Sequence, residues 1–229
     1  MALNSAIQEF IHQQIELYGD ELVFSPQSST KDNPQDDGVK PSWESCEELI
    51  SFQEKINHCV RCALGKSRTN FVFGSGNPHA EVMLIGDAPD TMEDEQGFPF
   101  VGPAGQLLDK ILQAIHLDRT RVYLCNVVKC HPSQNRSPLL SELETCRPFL
   151  NKQIALVNPN VILCMGEQAA NSVLHSNDPI QRLRGRLHQS GQYKIIVTYH
   201  PAFLLQHPQY KRDTWFDVQL LAKQLKTNG

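Results

Sequence analysis

Four cysteines in polar surroundings are the residues whose spacing most clearly suits metal chemistry. Cys59 and Cys62 form a Cys-x2-Cys pair, and fifteen residues separate Cys130 from Cys146. A Cys-x2-Cys turn presents two sulfurs on one side of a tight loop, so the four thiolates can meet at one centre. Spacing alone does not separate zinc from a [4Fe–4S] cluster, because both accept four thiolates.

A glycine- and proline-rich segment, residues 86–105, lies between the first cysteine pair and Cys130. It reads G-D-A-P-D-T-M-E-D-E-Q-G-F-P-F-V-G-P-A-G, and its glycines allow the backbone to approach a ligand closely. Neither common glycine-rich phosphate motif is present, and the acidic residues would repel a triphosphate. Carboxylates beside aromatic rings suit a flat, hydrogen-bonding ring, since nucleobases stack on aromatic side chains. The residues with this chemistry are Asp87, Glu93, Asp94, Phe98 and Phe100.

A third segment, T-Y-H-P-A-F-L-L over residues 198–205, closes an apolar strand with His200. The proline that follows stiffens the turn, and the apolar residues after it must either pack or insert into a partner. Proteins that extrude a base push a stiff apolar wedge of this kind into a duplex. Nearby basic residues either hold phosphates or form an ordinary solvated surface; they are Arg182, Arg184, Arg186, Lys211 and Arg212.

These segments are positioned by an alternation of apolar strands and amphipathic helices that begins near residue 47. This alternation predicts a parallel sheet with helices on both faces. The predicted strands lie at 82–85, 122–124, 161–165 and 194–198. Ligands bind outside the carboxyl ends of such strands. The loops at that edge begin at Gly86, Asn126, Gly166 and His200.

The N-terminal region differs in composition from the rest of the chain. Residues 1–24 predict an amphipathic helical extension, residues 25–45 an acidic flexible linker, and residues 46–229 the main domain. Gln14–Tyr18 faintly resembles the short peptides that dock on DNA sliding clamps, which allows a weak contact of that kind. The simpler interpretation is a helix that packs on its own domain or on a copy of itself. We otherwise expect a monomer.

The overall composition sets limits on location and partners. Residues 1–50 have a net charge of −8, and the whole chain has −4, so residues 51–229 have a net charge of +4. A net positive charge allows this part of the chain to bind a polyanion. No apolar run is long enough for a membrane span, and the N-terminus lacks the basic start of a secretory signal. The odd number of cysteines, seven, favours a reducing cytoplasm. Cys125 and Cys164, in or beside apolar strands, suit buried structural thiols.

Together these segments resemble the family 4 uracil-DNA glycosylases, the iron–sulfur branch of the uracil-DNA glycosylase superfamily. The resemblance covers about residues 50–229. It rests on C-V-R-C-A-L (59–64), the segment from Gly86 to Asp109, N-V-V-K-C-H-P-S-Q-N-R-S-P (126–138), Cys146 and Y-H-P-A-F-L-L (199–205). It implies a three-layer α/β/α sandwich around a mainly parallel four-stranded sheet, with a [4Fe–4S] cluster on the four cysteines that structures the site.

The same resemblance implies roles in the base pocket and at the sugar. Phe100 stacks on the extruded uracil, and the amide of Asn126 matches uracil N3–H and O4. His200 donates to uracil O2, where negative charge develops as the glycosidic bond breaks. Asp87 orients the attacking water and steadies the cationic sugar, and Glu93 is a second pocket acid.

Further positions of the same motifs complete the implied site. Gly86 and Ala88 line the pocket, and Leu204 and Leu205 fill the gap left in uracil-containing DNA by the extruded nucleotide. We therefore expect a monofunctional uracil-DNA glycosylase of base excision repair.

Two positions of the first motif depart from the family. It usually reads G-E-A-P-G, whereas this chain has Asp87 and Asp90. These departures motivate one alternative, a uracil-binding member with weak or altered catalysis. A metal-containing protein that binds nucleic acid without chemistry is the alternative from another class.

Overall fold

The apolar runs of the sequence form the centre of a six-stranded sheet in the computed structural model, which describes residues 41–226. The strands are β1 (Ser75–Gly76), β2 (Val82–Gly86), β3 (Val122–Asn126), β4 (Val161–Met165), β5 (Leu187–Ser190) and β6 (Tyr193–Thr198). Their order is β1-β3-β2-β4-β6-β5, and the inner four are parallel. The two edge strands are antiparallel to their neighbours.

The expected four-stranded sheet is therefore wrong in strand number, although the four predicted strands are its parallel centre. The two additional strands are only two and four residues long, and their residues are partly exposed or exposed. Neither contains the continuous apolar run by which a buried strand is recognised in a sequence. Short edge strands of this kind also limit pairing with other chains.

Helices cover both faces of the sheet. In chain order they are α1 (Leu49–Ile56), α2 (Leu64–Ser67), α3 (Thr91–Gln96), α4 (Gly102–Gln113), α5 (Leu140–Val157), α6 (Glu167–Leu174), α7 (Ile180–Leu183), α8 (Pro201–Gln206) and α9 (Lys211–Lys226). Short 3-10 turns occupy Ser133–Asn135 and Pro208–Tyr210. None of the helices in the part of the chain that the structure describes is long and apolar enough to cross a bilayer.

Alternation along the strands divides the apolar core into two clusters. Met83 and Ile85 of β2 pack with residues of α1, α5 and α6, whereas Val82 and Leu84 pack with residues of α4 and α9. Side chains of a strand point alternately to the two faces, so one apolar run supplies both layers. The predicted α/β/α layering is confirmed by these two clusters.

The glycine-rich segment 86–105 is more regular than its composition suggests. It contains α3, which begins with a capping box: the Asp90 side chain accepts from the Glu93 backbone N–H at 2.8 Å, and the Glu93 side chain accepts from the Asp90 N–H at 3.0 Å. Two backbone donors at the helix start are thereby satisfied. Asp90, one of the two departures from the motif that the sequence resembles, thus stabilises the start of α3.

The chain divides into two units after Lys40, and the second, Pro41–Gly229, contains the sheet. The helix predicted within residues 1–24, the sliding-clamp resemblance at Gln14–Tyr18 and most of the predicted linker lie outside the described residues. Trp43, at the end of that linker, packs its ring 5.8 Å from Phe52 and 5.2 Å from Phe149. The packed body therefore extends to Trp43.

Candidate active site

The predicted site residues meet at the carboxyl edge of the parallel strands. Gly86 ends β2 and is paired in register with Asn126, which ends β3. His200 follows β6 by two residues and caps the N-terminus of α8. Parallel strands end at one edge of a sheet, so side chains distant in sequence become neighbours here.

Gly86 lies at the point where three of these side chains converge. A Cβ atom at this position would overlap with Oδ1 of Asn126 and would lie 2.7 Å from Cζ of Phe100 and 3.3 Å from Nε2 of His200. The backbone conformation of Gly86 is ordinary, so glycine is required for space rather than for a turn. Because Gly86 has only a hydrogen atom in place of a side chain, Asn126 Oδ1, His200 Nε2 and the Phe100 ring can approach the same small volume.

Asn126 is fully buried, and only the nitrogen of its side-chain amide has a hydrogen-bond partner in the described part of the chain. Its Nδ2 donates to Oε2 of Glu93 at 3.3 Å, whereas its Oδ1 is buried without a hydrogen-bond partner among the described residues. An unsatisfied buried acceptor is costly, and a donor from a bound ligand would remove that cost. Lys129, also fully buried, donates from Nζ to the Asn126 carbonyl at 2.5 Å and fixes the backbone.

Glu93 connects the first motif to Asn126 and Phe100. Besides Asn126 and the Asp90 N–H, its carboxylate accepts from the backbone N–H of Phe100. Burial raises the pKa of Glu93 to about 7, with a further contribution from Asp90, although these hydrogen bonds oppose the shift. Glu93 therefore organises both Asn126 and Phe100 from one buried position.

Phe100 is held in a left-handed conformation (φ 55°) that few non-glycine residues adopt. Arg119 stabilises it by donating from Nη2 to the Phe100 carbonyl at 2.5 Å, and the same guanidinium pairs with Asp109 at 2.7 Å. The Phe100 ring is fully buried and stacks on the His200 ring with 5.7 Å between centroids. Arg119 was not predicted from the sequence, because its partner is a backbone carbonyl nineteen residues away.

The His200 imidazole is fixed in one tautomer. Its Nδ1 accepts from the backbone N–H of Ala202 at 3.2 Å, so in the neutral ring the proton is on Nε2. Burial lowers the pKa of His200 to about 4, although Asp90 opposes the shift. At neutral pH the ring is therefore an uncharged donor whose N–H is at Nε2, on the side of Gly86.

Asp87 lies beside the start of α6. The backbone N–H of Ala169 donates to its Oδ1 at 2.7 Å, and the N–H of Gln168 also binds the carboxylate. Gly166, which precedes α6, has a φ of 112°. A Cβ atom at this position would overlap with the Asp87 carboxylate. Burial raises the pKa of Asp87 to about 7 with help from Glu167, whereas the two amides oppose the shift.

A cavity of about 200 Å³ opens above these residues. That volume is below the usual range of drug-sized sites, and it suits a ligand the size of one base. Gly86, Asn126 and Phe100 do not line this cavity; Glu93 and His200 do, and they contact Asn126 and Phe100. The lining residues are Asp87, Ala88, Pro89, Asp90, Glu93, Ala104, Asn135, Arg136, Ser137, Pro138, His200 and Ala202. A larger groove of about 660 Å³, next to Trp215, contains none of the predicted site residues.

Of the two predicted wedge residues, only one is exposed. Leu204 is 0 % exposed and belongs to the core, whereas Leu205 is 44 % exposed on the same helix, α8. The structure therefore does not present Leu204 for insertion, because successive residues of a helix point in directions about 100° apart and only Leu205 faces solvent. The alternative phosphate role for Arg184 is also unsupported, since its guanidinium pairs with buried Asp217 at 3.0 Å.

The four predicted metal ligands come from three segments near one another. Cys130 and Cys146 are buried, and Cys59 and Cys62 are partly exposed. Burial raises the pKa of Cys130 to about 12, and the proximity of Cys146 and Cys62 adds to the shift. None of the seven cysteines, all within residues 41–226, forms a disulfide.

Donors surround these thiols. Arg68 donates to Sγ of Cys130 at 3.3 Å and to the Cys59 carbonyl at 2.5 Å, and the Lys129 backbone N–H binds Cys146. Such donors favour thiolates, so the donor set fits a four-thiolate group. No three His, Cys, Asp or Glu side chains among the described residues are arranged to hold a metal ion. A [4Fe–4S] cluster is larger than a single metal ion, so its four thiolates lie further apart than the ligands of one ion.

Comparison with known proteins shows the family of the chain. The model of the uracil DNA glycosylase superfamily matches residues 73–221. The chain is 39% identical to the type-4 uracil-DNA glycosylase of Archaeoglobus fulgidus, over 77% of this chain and 93% of that protein. It is 36% identical to the type-4 enzyme of Thermotoga maritima, over 80% of this chain and 98% of that protein. The chain belongs to the uracil DNA glycosylase superfamily and is similar along most of its length to type-4 members.

Proposed function

We propose that this protein is a uracil-DNA glycosylase that extrudes deoxyuridine from DNA and hydrolyses its N-glycosidic bond. The observation that carries the proposal is the convergence of Asn126 Oδ1 and His200 Nε2 around Gly86. One is a buried acceptor without a partner, and the other is a neutral donor. Similarity to five proteins named type-4 uracil-DNA glycosylase supports the same conclusion.

Base selection follows from the amide of Asn126. Its Oδ1 accepts from uracil N3–H, and its Nδ2 lies on the side of uracil O4. Cytosine has no hydrogen at N3 and presents an amino group in place of O4, so it would leave the buried amide unpaired. Sites that hydrogen-bond a substrate discriminate strongly against analogues that leave their buried groups unpaired.

Bond cleavage follows from His200 and Asp87. As the bond between C1′ and N1 breaks, its electron pair moves onto uracil, and Nε2–H of His200 stabilises the charge at O2. Water attacks C1′, and the Asp87 carboxylate accepts its proton. A carboxylate with a pKa of about 7 is suited to this role at neutral pH. Free uracil and an abasic site are the products.

Cys59, Cys62, Cys130 and Cys146 would hold a [4Fe–4S] cluster, whose role here is structural because the reaction involves no redox change. The segment 126–130 supports this role, since it contains both Asn126 and Cys130. Lys129 between them contacts the carbonyl of Asn126 through its side chain and Cys146 through its backbone. Loss of the cluster would therefore disturb the base pocket through Lys129 and Asn126.

The decisive experiment is excision from an oligonucleotide with one uracil, followed by alkali. Strand cleavage at uracil, and none in the matched thymine strand, is the expected result. An intact strand after long incubation with iron-loaded protein would refute the enzyme assignment. It would favour the alternative of uracil binding without efficient excision, which the hydrogen bond from Ala169 to Asp87 motivates. Visible absorption of the purified protein separates an iron–sulfur cluster from zinc.

A further inference from the structure

A second polar cavity, of about 180 Å³, is lined by the N-terminal half of α5, by α6 and by the residues that follow α6. Arg147 of α5 faces it together with polar side chains of α6 and of the residues that follow. The polar lining residues are Arg147, Gln168, Asn171, Ser172, Ser176 and Asn177, and Leu140 and Leu143 complete the wall. The proposed chemistry at uracil uses none of these side chains.

This cavity adjoins the base pocket at two points. Pro138 lines the base pocket, and Leu140, two residues later, lines the second cavity. Gln168 lines the second cavity, while its backbone N–H binds the Asp87 carboxylate. Both helices begin at the carboxyl edge of the sheet, the edge that also carries the base pocket.

Two polar atoms at this cavity are buried without partners. They are Nε of Arg147 and Oδ1 of Asn171. Some guanidinium groups of the protein, such as those of Arg119, Arg136 and Arg184, pair with a carboxylate. Among the described residues, no carboxylate pairs with Arg147. An unpaired guanidinium with a buried nitrogen can take an acceptor from outside the chain, which would remove the cost of leaving that nitrogen unpaired.

We propose that this cavity binds a backbone phosphate of the DNA strand that carries the extruded nucleotide. The inference rests on the proposed function, since it takes DNA as the ligand. Arginine presents a planar array of donors that matches phosphate oxygens, and Ser172 adds a hydroxyl. The Asn171 amide presents its nitrogen to the phosphate after rotation about its last side-chain bond. This contact would hold the strand in register while the neighbouring nucleotide occupies the base pocket.

The test compares Arg147→Gln with Lys152→Gln, a matched loss of one positive charge five residues further along α5. Binding of an iron-loaded protein to a duplex with non-cleavable 2′-fluoro-deoxyuridine is measured across a series of salt concentrations. Each phosphate contact contributes about 0.9 to the slope of log affinity against log salt. Arg147→Gln should therefore reduce the slope by about 0.9, whereas Lys152→Gln and Arg147→Lys should leave it unchanged.

An unchanged slope in Arg147→Gln, or an equal reduction in Lys152→Gln, would overturn the proposal. Because Arg147 follows Cys146, visible absorption and iron content are measured for each variant. Loss of iron in Arg147→Gln with a normal slope in the loaded fraction would assign the arginine to the cluster instead. The slope requires only DNA binding, so a wild-type protein that binds DNA but does not excise uracil refutes the proposed function alone.

Discussion

The Nδ2 atom of Asn126 lies 3.3 Å from Oε2 of Glu93, while Oδ1 of the same amide is buried without a partner. Glu93 thus fixes which way the amide faces, because only the nitrogen can donate to a carboxylate. The arrangement leaves an oriented acceptor at the end of β3, next to Gly86. In the proposed function, the N3–H of uracil satisfies this acceptor.

Replacement of Asn126 by alanine should abolish this orientation and lower the single-turnover excision rate by about 100-fold or more. The fold should be retained, because Asn126 contributes one weak internal side-chain hydrogen bond. Asn160→Ala, an exposed asparagine at the start of β4, is the control and should excise at the wild-type rate. Equal rates for Asn126→Ala and wild type would show that the base binds elsewhere.

The fold was largely predictable because its inner strands are continuous apolar runs. Each of the four parallel strands lies within a few residues of its predicted segment. The edge strands β1 and β5 were missed, since their pairing depends on neighbours distant in sequence. Helix α3 was also missed, because its capping box lies in a segment whose glycines and prolines indicate a loop.

The space beside Gly86 gives a second prediction. Gly86→Ala would place a methyl group against Asn126 Oδ1 and 2.7 Å from the Phe100 ring, so excision and binding of free uracil should both fall at least tenfold. Gly191→Ala is the control for an added methyl group, since nothing lies within 4 Å of that position. Its positive φ of 58° predicts a modest loss of stability with normal excision. Normal uracil binding by Gly86→Ala would contradict the pocket.

The pKa of Asp87, about 7, predicts the pH dependence of excision. The Asp87 carboxyl group can accept a proton only when it is ionised, and below its raised pKa it is mostly neutral. The single-turnover rate should therefore rise with pH up to about 7 and level off above it. Glu93→Gln removes the other pocket acid with a pKa of about 7 and should keep the rise. A flat profile in Glu93→Gln would assign the titration to Glu93 instead.

The roles of individual site residues were less accessible to sequence reasoning than their positions. The pattern identified Asp87, Asn126 and His200 at strand ends, and the structure brings them to one edge. It could not show that Asp87 binds the first turn of α6, or that Arg119 holds the carbonyl of Phe100. Both contacts end on backbone groups, which have no residue-specific signature in a sequence.

The proposed cluster predicts a difference between two cysteines. Cys62→Ser should lose iron and visible absorption, unfold at a lower temperature and excise more slowly, because metal binding contributes to folding. Cys46→Ser, which changes a buried cysteine of the apolar core, should retain iron and excision. Iron content per chain and thermal unfolding are the measurements. Full iron content in Cys62→Ser would show that this thiol is not a ligand.

The unequal exposure of Leu204 and Leu205 predicts opposite effects for two adjacent alanine substitutions. Leu205 is exposed, so Leu205→Ala should leave thermal unfolding unchanged. It should slow excision from duplex DNA about tenfold, since a leucine inserted in the stack buries apolar surface worth about 1.5 kcal/mol. Excision from single strands, where no stack is opened, should change little.

Leu204→Ala should instead reduce the free energy of unfolding by about 2–5 kcal/mol, because it leaves a cavity in the core. Where the Leu204→Ala protein is folded, any loss of excision rate should be the same for single-stranded and duplex DNA. Equal duplex defects in both variants would mean that α8 opens on DNA and inserts both leucines. A duplex-specific defect confined to Leu205→Ala establishes that α8 meets DNA as a preformed helix with a single wedge residue.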